Sequence, residues 1–399
     1  MVIQNTDVPL ATDALEFVFL GTGTSSSLPH VRCLTAGPSD PKCEACLSTL
    51  TPAGRKNARR NTSAVFRVKG MNGNLVTVVI DVGKTFLASA LELFPKYQLR
   101  RIDAVLITHA HADAMNGLDD LRGWTLHGNI QPYIDIYASQ ATYNEVGRAF
   151  PYLVSKEFAS GGGDVPEFKW HIIEDRQPFE ILDTGIRVTP FCVHHGRVFS
   201  QCPPPSASLP TPSYTSPPTP VSGRNSPFPS FAPPSRIHPD ELRGIEPPRP
   251  EPYLCMGFKI QDAVVYISDV SLIPEDVYQF LLGSGNSDES TRIPVLVLDC
   301  LRIKSHTSHF GLKQSVDAVR RFKAKRSYLV GFTHDMTHEE YTEVLQSVEG
   351  LGDLSNMTED VRNAIAMIEG GDKQWVRPAF DGLRLFISPD GTVREDDSS

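Results

Sequence analysis

Two histidines and an aspartate at alternate positions, directly after a buried strand, constrain this chain more than any other feature. The run is Thr108-His109-Ala110-His111-Ala112-Asp113-Ala114, and Ile102-Asp103-Ala104-Val105-Leu106-Ile107 before it has the β-branched pattern of a strand. In an extended or turning backbone, alternate residues share a face, so His109, His111 and Asp113 can converge on one cation. Imidazole and carboxylate are the donors that catalytic zinc or manganese sites use while leaving a position for water. A His-rich surface loop is the plain alternative, and the rest of the chain weighs against it.

Further donors follow at the ends of other expected strands. Leu15–Leu20 runs into Gly21-Thr22-Gly23-Thr24-Ser25, and Val78–Ile80 into Asp81-Val82-Gly83. His195 follows the strand Ile186–Val193, Asp269 ends Val264–Ser268, and His334 follows Ser327–Phe332. Helices are expected over Thr85–Leu99, from a Ser139 cap to Phe150, over Pro274–Leu282 and over Leu312–Phe322. Periodicity alone gives mixed α/β. With these landmarks in this order, the sequence resembles the metallo-β-lactamase superfamily from about Leu15 to Ile387. Within it, the phosphonate-pathway cyclic phosphodiesterase group is the most similar. The resemblance implies an α/β fold, a four-layer αββα sandwich.

Carried over residue by residue, the resemblance implies His109, His111 and His195 for a first metal, Asp113 and His334 for a second, and Asp269 as bridge. His194 is the alternative to His195, which is preferred because Gly196 permits a tight backbone there. The superfamily's usual motif is His-x-His-x-Asp-His, and its last His binds the second metal. Here that position is Ala114, which cannot coordinate. Asp119 or Asp120 could compensate, or could cap a helix or pair with Arg122. The expected cofactors are one or two catalytic Zn²⁺ ions, the second site suiting Mn²⁺ or Fe²⁺. His309, before the helix at Leu312, matches the group's non-ligand catalytic His, acting with Asp113 and Asp269, while His306 orients it or is structural. The same group implies a structural Zn²⁺ on Cys33, Cys43, Cys46 and His338.

Composition sets the context. The chain has 399 residues, enough for one large domain or two, and no apolar run approaches the roughly 20 residues of a membrane span. A net charge of −9 disfavours extended nucleic-acid binding. Arg55, Lys56, Arg59 and Arg60 crowd one polar loop, read as a solvated turn or as a phosphate-attracting rim. Seven cysteines without an N-terminal signal segment suggest a reducing compartment, the cytoplasm or the nucleus. Residues 203–252 hold 17 of the 32 prolines and little apolar periodicity. They read as a disordered insert within a hydrolase domain at 15–388, flanked by flexible ends at 1–14 and 389–399. The insert is either a tolerated loop or a carrier of phosphorylation or partner motifs. A homodimer is compatible with the resemblance.

The expected function is a metallo-hydrolase cutting a small phosphodiester, cyclic ones included, through metal-activated hydroxide. A ribonuclease Z-like nuclease, a lactone or thioester hydrolase, and a non-catalytic binding protein on the same fold are the alternatives. Deleting residues 205–248 should leave folding and basal hydrolysis intact, because a segment without packed apolar contacts adds little stability. Thermal unfolding of the deletion variant checks this, and loss of the folded state would show that the segment is docked.

Overall fold

Alternation along the strands sends neighbouring side chains into different cores, and this sorting builds the layers. The computed structural model describes residues 14–161, 163–198, 251–283, 292–351 and 357–396. The chain begins with β1 (Leu15–Gly21), β2 (Ser63–Lys69), β3 (Leu75–Ile80), β4 (Ala104–Leu106), β5 (Ile134–Ala138) and β6 (Phe168–Ile172). A second sheet then forms from β7 (Phe179–Glu180), β8 (Arg187–Arg197), β9 (Pro252–Ile260), β10 (Val264–Ile267), β11 (Val295–Asp299), β12 (Arg326–Val330) and β13 (Val376–Pro378). Finally β14 (Arg384–Ile387) and β15 (Val393–Glu395) rejoin the first sheet, whose order is 15-14-1-2-3-4-5-6; the second runs 13-12-11-10-9-8-7.

In β1, Phe17 and Phe19 face the core between the sheets, where Phe258, Tyr266, Val297 and Tyr328 meet them. Val18 and Leu20 face the other way, onto Phe86, Leu93 and Ile136 beneath the helix Phe86–Lys96. β11 repeats the logic: Val295 and Val297 point between the sheets, while Leu296 and Leu298 pack on Val316 and Val319 of the helix Leu312–Phe322. The result is the expected four-layer α/β sandwich. β3 through β6 pair in parallel, as do β10 through β13. Their carboxyl ends carry the loops in which layered α/β folds place functional groups.

The described residues up to Gly196 and from Tyr253 onward form one compact unit. The expectations for residues 1–13 and for the insert at 203–250 lie outside the described residues. The C-terminal boundary expected at 388 is corrected, because β15 pairs antiparallel with β14 through Ile387↔Val393. The sequence hid this short edge strand among charged residues. Among the described residues, no helix is long and apolar enough to cross a membrane.

The basic loop divides. Arg55 and Arg60 both pair with Glu92, and Lys56 lies over the Phe380 ring. Arg59 is only 1% exposed, so it is neither solvated nor on a rim. Its guanidinium donates to the carbonyls of Thr333 and Met336 and to Asn57 Oδ1, between the rings of Phe332 and Tyr341. It thereby fastens the segment after β12. Arg59→Met keeps the bulk but orphans those buried carbonyls, and should cost about 2–4 kcal/mol in denaturant unfolding. A change under ~0.5 kcal/mol would show that Arg59 is no anchor.

Candidate metal centres

Four donors converge where β4, β8 and β10 end. His195 Nε2 lies 3.1 Å from His111 Nδ1, and Asp269 Oδ2 lies 3.5 Å from both His109 Nε2 and His195 Nε2. Tetrahedral Zn–N and Zn–O bonds of about 2.0–2.1 Å place donors roughly 3.3 Å apart, so these separations suit one ion. His109 Nε2 is buried without a hydrogen-bond partner, the state expected of an atom reserved for a cation. Burial pushes His109 down to about 3, while partial burial and the facing His195 lower His111 to about 4, so both imidazoles are neutral at pH 7, the form that can coordinate. Burial opposes the charge on Asp269, but the surrounding histidines, His195 foremost, outweigh it and hold the carboxyl at about 2.

Backbone and hydrogen bonds aim these rings. Asp81, in the left-handed region at φ +60, accepts from the Thr108 amide and hydroxyl at 2.8 Å each. That hydroxyl therefore keeps a lone pair for His109 Nδ1–H at 2.8 Å, which leaves Nε2 unprotonated and facing the centre. Gly83, two residues on, is required because a Cβ there would lie 1.7 Å from the Asp113 carbonyl oxygen. His195 Nδ1 donates to the Ser308 carbonyl at 2.7 Å. Gly196 follows at φ +75, where a Cβ would press to 3.1 Å from Ser308 Cβ. His194 bonds through its backbone to Leu272, and it is His195 that enters the cluster. Tyr253 stacks on His111 at 4.7 Å and accepts from the Ala110 amide, a contact that nothing in the motif pattern signals.

A cleft of about 400 Å³ opens over this cluster, lined by Thr24, Ser25, His111, Asp113, His195, Asp269, Leu301, His306, Ser308 and His309. Burial, and then the nearby Asp269, push Asp113 up to about 6. Ala114 is buried, with its amide on His111 and its carbonyl on Val82. Asp119 is paired with Arg122, and among the described residues neither it nor Asp120 joins a metal-capable group. His309 Nδ1 donates to Asp299 at 2.9 Å, and the ring sits 4.7 Å from that of His195. Burial favours neutral His309, but the Asp299 carboxylate outweighs it and holds the imidazole at about 9. Asp299 was missed in the sequence. The available signal was a carboxylate closing an otherwise apolar strand, the pattern that marked Asp269.

A second cluster corrects two expectations. His334 does not approach Asp113 and Asp269: its Nδ1 lies 3.3, 3.3 and 3.7 Å from the sulfurs of Cys33, Cys43 and Cys46. Zn–S bonds near 2.3 Å and a Zn–N bond near 2.0 Å put sulfur and nitrogen about 3.5 Å apart, so this set fits a tetrahedral Cys₃His ion. His338, expected to complete that set, opens the helix His338–Gln346 instead. Its amide donates to Asn57 Oδ1 and its ring packs edge-on against Phe380, where burial lowers it to about 3. Helix initiation fixes His338 away from the thiols, while the preceding loop lets His334 turn toward them. Burial raises the Cys46 thiol to about 12, so an ion taken up here must displace protons.

Residues 76–209 match the family model described as a Beta-lactamase superfamily domain. The whole fold is similar to a solved diphosphatase of the PhnP family, with a TM-score of 0.57 and 21% identity, covering 93% of this chain and 97% of that one. It is also similar to unliganded yeast PDE1, with a TM-score of 0.50 and 9% identity, covering 94% and 100%. A curated octanoyltransferase of Porphyromonas gingivalis (strain ATCC BAA-308 / W83) is 28% identical over 185 residues, 45% of this chain. The match spans 31% of that protein's length.

The geometry makes the two histidines separable. His334→Ala and Cys43→Ser/Cys46→Ser should each release one zinc equivalent and lower Tm, while His338→Ala should keep the full metal content. Metal analysis of the three variants checks this. Retention by His334→Ala with loss from His338→Ala would reverse the assignment.

Proposed function

We propose that this chain, which belongs to the metallo-β-lactamase superfamily, is a metal-dependent hydrolase that cleaves a small phosphodiester, cyclic ones included. One observation carries the reading: an imidazole held by a buried carboxylate, His309–Asp299, lines the same cleft as the metal-capable histidines and Asp269. Its Nδ1 is committed to Asp299, so the proton free to act is on Nε2. Such a group can donate to a departing alkoxide, the requirement of diester cleavage at an unactivated bond. His109, His111, His195 and Asp269 would hold a divalent ion, whose chemistry there would be to acidify a water and to offset charge on a phosphoryl oxygen.

The cleft volume supports a small substrate over a polynucleotide. Lys84, whose ammonium donates to the carbonyl of the cleft-lining Ser25 at 2.6 Å, adds a positive charge for an anionic ligand. The retained donor set and the dyad weigh against a non-catalytic role. The solved relatives named as a diphosphatase and as PDE1 point in the same direction.

His309→Ala should slow an alkyl-leaving-group diester by about 100-fold or more while barely changing a p-nitrophenyl diester, since nitrophenolate departs unprotonated. His309 keeps its proton below its raised pKa and loses it as the pH climbs through that value. A rate that needs the proton therefore falls on the alkaline side, and Asp299→Asn should move that fall to lower pH. Equal losses on both substrates, or an unmoved alkaline limb, would remove His309 from the role of acid.

A further inference from the structure

We infer that the catalytic centre of this chain holds one metal ion rather than a pair, with the His309–Asp299 dyad occupying the side where a second would stand. The inference rests on the metal-hydrolase reading but not on its substrate. Among the described residues, two groupings at this centre could hold an ion: His109 with His111 and His195, and His195 with Asp269 and His309. Both need His195. Its Nδ1 donates to the Ser308 carbonyl, so only Nε2 has a lone pair to give, and one nitrogen lone pair binds one ion. The two groupings are therefore alternatives.

A second ion independent of His195 would need other donors, and the described residues form no further donor grouping at this centre. Position 114 ends in a methyl group, and its backbone amide and carbonyl are bonded to His111 and Val82. His334 is gathered among three thiols. Asp119 is held by Arg122. Asp113 lines the cleft but joins neither grouping. What remains beside Asp269 is His309, and its Nδ1–H is bound to a carboxylate that is itself fully buried. The centre then holds one divalent ion at His195, with His109 and His111 as its partners, Asp269 beside them and the His309–Asp299 dyad adjoining.

Counting ions on the full-length protein tests this without recourse to turnover. Chains freed of metal, reloaded with excess Zn²⁺ and desalted should retain two ions, one at the catalytic donors and one at the thiols. Cys43→Ser/Cys46→Ser should retain one, and adding His109→Ala to that background should leave none. His309→Gln should keep both ions of the wild-type chain. If the thiol variant does not fold, wild type loaded with Co²⁺ answers the same question, since isolated high-spin ions give uncoupled EPR signals that integrate in full. Two ions at the catalytic donors, an exchange-coupled Co²⁺ pair, or loss of an ion from His309→Gln would each overturn the inference. No phosphodiester turnover with a count of one would overturn only the substrate reading; turnover with a coupled pair would overturn only this one.

Discussion

The hydrogen-bond chain from Asp81 through Thr108 to His109 is the constraint on which the centre depends. A fully buried imidazole can serve as a ligand only if its proton sits on the far nitrogen, and Thr108 fixes this by giving its own hydrogen to Asp81. Asp81 in turn sits at the end of β3, next to the strand that delivers His109, so sheet pairing sets the geometry before any metal arrives. Gly83 lets the motif's backbone lie directly on the loop after β3. The Asp-x-Gly and His-x-His-x-Asp landmarks are thus two sides of one contact, which explains why they belong together in one chain.

Much of this was legible in the sequence because strands end where the chemistry begins. A period of two, followed by a donor, located His109, His111, His195 and Asp269. The same pattern in β11 pointed to Asp299, which went unread because its partner His309 comes ten residues later, across a loop that no periodicity describes. His334 and His338 were separable only by local backbone. Thr337 caps the helix and is bonded to Glu340, which commits His338 to the first helical turn. Spacing from the preceding strand carries no information about such a turn. Arg59 was misread for a related reason: charge and sequence neighbours suggested solvent, whereas the acceptors that make its burial tolerable lie some 270 residues away.

Two metal-capable clusters share one structural element, and that links their energetics. The segment after β12 runs from Gly331, whose Cβ position would meet Asp299 Oδ1 at 2.6 Å, to His334 among the thiols. Thr333 donates to the Leu301 carbonyl at 2.7 Å, and Cys300 to that of Val330 at 2.8 Å, so the segment also braces the loop that leads from Asp299 toward His309. Arg59 closes it from behind. An ion among the thiols would therefore contribute more than folding free energy. By fixing His334 it would fix the wall against which the buried Asp299 carboxylate rests, and a carboxylate that cannot move holds His309 at a set angle to the cleft. The Cys₃His cluster and the dyad are thus joined through the four residues from Gly331 to His334 and share no donor.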